Sequence, residues 1–331
     1  MKYVTFPGSD LSLSEICFGA WAAGGWMWGG SEQDAAVQAM IAAYEEGVTT
    51  IDTAPVYGQG LSEELTGTAI RQIGREKVQI LTKYGLKWGP PEGQFYFKSQ
   101  DNQGKSLDIY KYAGKQSILA ECEASLHRLG TDYIDLYQIH WADPTTPIHE
   151  SLEAVQQLIK EGKVRYAGVC NYTASQLAEA DKTCPILSDQ VPFSMVRRDI
   201  EQELVPYCLE HHKGILAYSP LERGLLTGKI KPGHVFSPGD HRANVYFFTD
   251  DNLHRVHQFL SAIQPLAEAK QATLGQLVIR WTLSQPGITA ALVGARDVKQ
   301  AIENARASNL NLSAEEIGLI NLHLANLTII K

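Results

Sequence analysis

Short apolar runs rich in β-branched residues alternate with helix-length segments along most of this chain, and that alternation limits its possible folds more than any other feature. Val78-Gln79-Ile80-Leu81-Thr82, Ile134-Asp135-Leu136-Tyr137-Gln138-Ile139 and Ile215-Leu216-Ala217-Tyr218 are examples. Each is short enough to be a buried parallel strand. The segments between them carry helix-end signals. Ser31 with Asp34 is expected to cap a helix running to Glu46, with Gly47 as its stop. Thr173 with Gln176 and Ser313 with Glu316 read as capping boxes. A helix over 148–161 should end at Gly162, with strand Val164–Val169 following at once. Eight such units can be counted, their strands ending near Gly19, Asp52, Lys83, His140, Asn171, Gln190, Tyr218 and Gly294. Strict alternation implies a parallel sheet with helices outside, and eight units in one domain over 1–331 predict a closed (β/α)8 TIM barrel. An open doubly wound sheet also alternates, but usually shows Gly-x-Gly-x-x-Gly after an early strand. The nearest run here, Gly24 to Gly30, has the wrong spacing and is crowded by Trp26, Met27 and Trp28.

Two gaps, about 85–114 and 222–252, are too long for simple connections. Both follow strand C-termini, so both are expected to overhang the C-terminal face of the barrel. Tyr3–Phe6 and Leu11–Leu13 are expected to form an N-terminal hairpin plugging the opposite end. Lys plus Arg total 29 against 37 Asp plus Glu, a net charge of −8. An acidic chain without a basic stripe is a poor nucleic-acid binder. No apolar run approaches the ~20 residues of a membrane helix, and no signal-peptide stretch opens the chain, so a cytoplasmic protein is expected. The five cysteines, Cys17, Cys122, Cys170, Cys184 and Cys208, lack metal-ligand spacing. Buried, reduced thiols are expected, with neither a disulfide scaffold nor a metal site.

Nearly every strand ends on a polar or reactive side chain: Asp52, Lys83, His140, Asn171, Gln190, and Tyr218 with Ser219. Barrel closure would bring these ends to one mouth. Burying Asp, Lys and His together is costly unless they satisfy one another, so the ring reads as a functional site. Asp52 and Lys83 would pair on neighbouring strands. Tyr57, in the turn after Asp52, would then meet an ammonium that favours its phenolate and lowers its pKa. His140 would polarise a substrate oxygen. Together they suit protonation of an oxyanion, as in carbonyl reduction. Taken singly, Asp52 is an ordinary turn former, Lys83 a snorkelling side chain, Tyr57 a loop aromatic and His140 a structural histidine. It is their joint placement at successive strand ends that argues for function.

The segments Ile51–Gly58, Leu81–Lys83, Asp135–Trp141, Gly162–Tyr172 and Ala217–Leu221 resemble the aldo-keto reductases. The resemblance runs from about Tyr3 to Ala305, and is greatest to the branch containing general-stress-type reductases and channel beta subunits. It implies a barrel that binds a nicotinamide cofactor without a Rossmann fold. By the same resemblance Tyr57 is the general acid, Lys83 tunes it, Asp52 supports Lys83 and His140 orients the carbonyl. Trp21 and Asp52 join the cofactor set. Asn171 and Gln190 resemble the nicotinamide amide ligands, and Tyr218 the ring that stacks on the nicotinamide. Cys170 stands where the family commonly has serine. Ser219, Pro220, Leu221, Arg223, Gly224 and Lys229 resemble the pyrophosphate-covering loop. Gly294, Arg296, Gln300, Glu303 and Asn304 fall in the adenosine-binding stretch.

Many members have Lys-Ser where this chain has Gly294-Ala295. Arg296 can supply the missing charge, and Asp297 works against a phosphate, so NADPH is favoured with NADH possible. Trp26, Trp28, Trp88 and Trp141, with Tyr57 and His140, are expected to face the substrate, and Phe95 and Tyr96 are further candidates. Aromatic walls suit sugar rings or hydrophobic aldehydes. The 85–114 insert carries Lys87, Lys98, Lys105 and Lys111, which either attract an anionic or sugar-phosphate aldehyde or merely solvate a loop. The balance tips toward polar carbonyl substrates such as aldoses, with a monomeric enzyme as the default. Two alternatives stay open: a cofactor-sensing regulatory subunit, and an NAD(P)-dependent aldose dehydrogenase.

Overall fold

The computed structural model describes residues 1–331. In chain order the strands are β1 (Tyr3–Thr5), β2 (Ser12–Ser14), β3 (Ile16–Gly19), β4 (Thr50–Asp52), β5 (Gln79–Tyr84), β6 (Leu86–Trp88), β7 (Gln94–Gln100), β8 (Ser106–Lys111), β9 (Ile134–Ile139), β10 (Val164–Cys170), β11 (Ile186–Pro192), β12 (Gly214–Tyr218) and β13 (Ile288–Gly294). Eight of them close a parallel barrel in the order β10-β11-β12-β13-β3-β4-β5-β9. This is the expected (β/α)8 architecture.

Helices α1 (Gln33–Glu45), α2 (Leu61–Ile73), α3 (Lys115–Leu129), α4 (Ile148–Lys160), α5 (Ala174–Asp181) and α6 (Leu204–Glu210) each follow one barrel strand. Next come α7 (Asp250–Ala269) and α8 (Leu274–Leu283) after β12, then α9 (Val298–Ala305) and α10 (Ala314–Leu324). No helix is long and apolar enough to cross a membrane. The capping boxes at Thr173–Gln176 and Ser313–Glu316 are formed, and a third stands at Thr273–Gln276. Ser31 does not cap α1. Its hydroxyl donates to the Ala23 carbonyl at 2.6 Å, so it ties down the preceding loop and leaves Glu32 as an uncapped start.

Alternation along each strand separates two cores. Ile80, Tyr137, Ile139, Val169 and Ile215 face the helices within the largest buried cluster. Leu81, Leu136, Leu216 and Cys17 face the axis. The hairpin β1–β2 (Tyr3 opposite Ser14, Thr5 opposite Ser12) presses Phe6, Leu11 and Leu13 onto that inner layer and seals the N-terminal end. Gly214 is required there, because a Cβ would run into the Phe6 ring. All five cysteines are buried and unpaired.

The two long gaps take different forms. Residues 85–114, expected as an insert overhanging the C-terminal face, form a three-stranded antiparallel sheet, β6-β8-β7. The second gap is a chain of single turns, Glu222–Thr227, His241–Asn244 and Tyr246–Phe248, before α7 begins. Phe6 is 2% exposed, so Phe6→Ala should open a cavity and cost about 3 kcal/mol or more. Chemical denaturation of the variant against the parent measures it.

Candidate active site

Above the inner leucine layer the same strand positions turn polar. Asp52, Lys83, Gln138, Cys170 and Gln190 are all buried. Lys83 Nζ donates to Asp52 Oδ1 at 2.6 Å and to the Thr53 carbonyl at 2.9 Å. Asp52 Oδ2 accepts from Gln190 Nε2 at 2.7 Å and from Gln138 Nε2 at 3.3 Å. Gln138 escaped the sequence reading. The available signal was the alternation itself, which puts it on the face of Leu136, two residues before His140. Gln190 faces the cavity as expected, but its amide nitrogen is committed to Asp52.

Tyr57 is held over this layer by a close approach of two loops. Gly58 has φ +68°, and a Cβ on Gly24 would sit 2.6 Å from the Tyr57 carbonyl oxygen, so both positions require glycine. Ser62 fastens the turn, its N–H donating to the Tyr57 carbonyl at 3.1 Å and its hydroxyl to that of Ala20 at 2.8 Å. The Lys83 ammonium lies 5.0 Å from the centre of the Tyr57 ring, and the His140 ring stands edge-on to it at 5.7 Å.

The electrostatics correct one expectation. Burial pushes the Tyr57 phenol up to about 12, although Lys83 pulls it down. Loss of water outweighs the ammonium, and the phenol keeps its proton. Burial works against the Lys83 charge as well, but Asp52 and Tyr57 prevail and the ammonium holds its proton more tightly than an ordinary lysine. Burial, then Lys83, drives His140 well below the usual histidine value, so it is neutral. The phenol and one imidazole nitrogen therefore present N–H or O–H donors at the mouth.

Asn171 adopts φ 59°. Its Nδ2 donates to the His140 carbonyl at 3.1 Å and its Oδ1 accepts from the Tyr218 hydroxyl at 2.9 Å. A cavity of about 530 Å³ opens above these groups and runs as a groove toward α9. Trp21, Asp52, Asn171, Gln190 and Tyr218 line its deep end. Ser219, Pro220, Leu221, Arg223, Gly224 and Lys229 line its middle, and Gly294, Arg296, Gln300, Glu303 and Asn304 its far end. Every residue assigned to the cofactor thus falls on one continuous surface.

Tyr57, His140, Trp26, Trp28 and Trp141 also line the cavity, with Tyr96 and Phe97 from β7. Trp88 does not. It packs behind the wall, against the cluster holding Trp26, Leu86 and Ile109. Phe95 points outward, 49% exposed. Lys83 lies beneath the floor and reaches the cavity only through Tyr57 and Asp52. Arg242 and Met27 line the cavity and were not foreseen, since both sit in loops without periodicity.

Those loops cross the groove. The His241 N–H donates to the Met27 carbonyl at 3.1 Å, and Trp28 bridges to Asp240. Arg242 clasps Asp240, with Nη2 to Oδ2 at 2.6 Å, and donates to the Arg223 carbonyl at 3.1 Å. Arg242 and Arg296 both approach the Trp28 ring, at 4.9 and 5.1 Å from its centre. Arg296 Nη2 donates to the Trp28 carbonyl at 3.0 Å. Arg223 is half-buried, and its Nε is buried with no protein partner. An unspent guanidinium donor inside a groove of this length fits a phosphate-bearing cofactor. The Asp297 carboxylate caps α9 through the Gln300 N–H at 2.8 Å and does not line the cavity.

A family model, the aldo/keto reductase family, matches residues 15–325, and the chain belongs to that family. It is an oxidoreductase of the NAD(P)H-dependent aldo-keto reductase type. It is 35% identical to aldo-keto reductase YhdN of Bacillus subtilis (strain 168), over 98% of this chain and 94% of that one. It is 36% identical to the NADH-specific methylglyoxal reductase of Escherichia coli (strain K12), over 97% of each. Among solved structures, the glycerol dehydrogenase AKR11B4 from Gluconobacter oxydans superposes with a TM-score of 0.88 at 35% identity, covering 99% of this chain and 97% of that one.

The neutral state of His140 has a thermodynamic signature. The unfolded chain takes up a proton near pH 6.5, whereas folded His140 does so only well below that. Stability from this residue is therefore lost as pH falls through about 6.5 toward the folded value. Unfolding free energy measured between pH 7 and 5 should fall less steeply in His140→Asn than in the parent.

Proposed function

We propose that this protein reduces an aldehyde or ketone to an alcohol with NADPH, Tyr57 giving the proton. The observation that carries the reading is the ammonium of Lys83, locked on Asp52 directly beneath a protonated Tyr57, with neutral His140 beside it. A reduced nicotinamide supplies the hydride when bound, and the groove from Tyr218 to Asn304 is where the chain would hold it. His140 donates a hydrogen bond to the carbonyl oxygen and fixes its direction. As negative charge grows on that oxygen, the Tyr57 O–H transfers its proton, and the phenolate left behind faces Lys83. Lys83 itself stays charged, because Asp52 and the Thr53 carbonyl hold it. The reverse sequence oxidises an alcohol, so the same residues serve a dehydrogenase.

Arg296 supports NADPH over NADH. It makes no ion pair, and its guanidinium edges the far end of the groove, where a 2′-phosphate would lie. Polar carbonyl compounds, including aldoses, suit a mouth walled by Trp26, Tyr96 and Trp141. The relatives named for methylglyoxal and glycerol also act on small oxygenated compounds.

Steady-state oxidation of NADPH with a panel of aldehydes, sugar aldehydes included, tests the reading. Tyr57→Phe should lower kcat by about 10²-fold or more while cofactor binding, followed by fluorescence titration, stays intact. Full activity in the variant would sink the acid assignment. Arg296→Ala should raise the Kd for NADPH about tenfold or more and leave that for NADH nearly unchanged. Equal losses would remove Arg296 as the reader of the phosphate.

A further inference from the structure

The small sheet of residues 85–114 brings Tyr96 and Phe97 to the cavity, and Trp141, next in chain to His140, belongs to the same wall. One cation is set against that wall. Lys111, the last residue of β8, rests its ammonium 4.2 Å from the ring centre of Tyr96 and 4.9 Å from that of Trp141. The two rings stand 5.4 Å apart at 53°, forming a cradle for it. Aromatic faces attract a cation without using its N–H donors. No side chain pairs with Lys111, and the only acid that acts on it is Asp143. Asp143 already accepts from the Ala113 N–H at 2.8 Å, and from the Thr145 N–H and hydroxyl at 2.8 and 2.7 Å.

The other lysines of the insert differ. Lys87 is paired with Glu92 at 2.7 Å, while Lys98 on β7 and Lys105 in the turn before β8 are exposed. Lys111 alone is partly buried, fixed in place and free of a carboxylate, and it stands against two residues that line the cavity. Lys111 does not itself line the cavity, but in a protein of net charge −8 an isolated cation set against the cavity wall concentrates anions there.

We infer that Lys111 forms an anion-accepting subsite at the substrate end of the cavity, and that the preferred substrates are aldehydes or ketones with a carboxylate or phosphate beyond the carbonyl. The inference rests on the carbonyl-reductase reading and narrows its substrate class. The carbonyl meets Tyr57 and His140, and the anionic end takes the unspent N–H donors of Lys111 across the Trp141 ring. A neutral aldehyde of equal length leaves that ammonium unanswered.

Matched substrate pairs decide it: glyceraldehyde 3-phosphate against glyceraldehyde, and succinic semialdehyde against butanal. Each is measured with the parent, Lys111→Met and Lys111→Arg. Methionine keeps an unbranched stem on the rings and removes the charge. In the parent at low salt, kcat/KM should favour the anionic member about tenfold or more, mainly through KM. Added salt should shrink that preference. Lys111→Met should collapse the ratio and Lys111→Arg should retain it. A preference confined to one pair assigns the subsite to phosphate or to carboxylate. A parent without preference, or one whose preference survives in Lys111→Met, overturns the subsite while leaving the reductase reading intact. If no carbonyl compound oxidises the cofactor, the reductase reading fails instead. Quenching of tryptophan fluorescence by succinate then still decides the subsite: saturable quenching lost in Lys111→Met upholds it, and equal quenching in both proteins overturns it.

Discussion

The ion pair between Asp52 and Lys83 is the interaction on which the rest of the site depends. Both charges are within 3% of full burial, where each would cost several kcal/mol if unanswered. Neither is. Asp52 takes three donors, and Lys83 takes a carboxylate and a carbonyl. A hydrophobic pair of similar volume would hold a barrel together as well, so stability does not account for it. What it provides is a fixed positive charge at a fixed depth. That charge stands 5.0 Å from the centre of the Tyr57 ring and draws the phenol pKa down against burial, and His140 is kept neutral partly by it. The polar layer is narrow, bounded below by Leu81, Leu136 and Leu216 and above by the open groove.

Much of this was legible in the chain. Alternation gave away the barrel because parallel strands buried on both faces must be short, apolar and separated by helices. The site residues were legible because closure makes strand ends neighbours, whatever their distance in sequence. What escaped was everything set by side-chain partners. Ser31 has the composition of a cap but lies one residue before the N-cap position, Glu32, and its hydroxyl turns back to the Ala23 carbonyl. Gln190 looked like a free amide and is half committed to Asp52. Gln138, its companion on that carboxylate, was hidden inside a strand read for its apolar residues. Trp88 and Phe95 read like Tyr96, and Phe97 was not singled out; a break in the ladder register between Phe95 and Phe97 lets the adjacent Tyr96 and Phe97 both meet the cavity. The rise in the Tyr57 pKa was missed for a related reason: sequence shows the neighbouring charge but not the missing water.

The two long connections divide the work above the barrel. The insert after β5 builds the aromatic wall at the mouth, stiffened by its own three-stranded ladder. The turns after β12 cross the groove and meet the loop after β3, where Trp28 lies between the guanidinium groups of Arg242 and Arg296. Ser219, Glu222, Arg223 and Gly224 all take positive φ beneath this crossing. Non-glycine residues seldom adopt that region, and clusters of them mark segments shaped for a task beyond packing. Glu222 is anchored there by Arg197 at 3.4 Å and Ser194 at 3.3 Å, which holds the kinked segment in place.

The hairpin that seals the N-terminal end has a consequence for traffic. Phe6, Leu11 and Leu13 back the layer of Leu81, Leu136 and Leu216, and the barrel is a blind well with a single door. Whatever enters must leave the way it came, past whatever arrived after it. Two molecules that share such a well queue, and the one whose reactive end lies deeper has to arrive first and depart last. The single door is thus a consequence of the packed leucine floor, which the hairpin on the far side of the molecule backs.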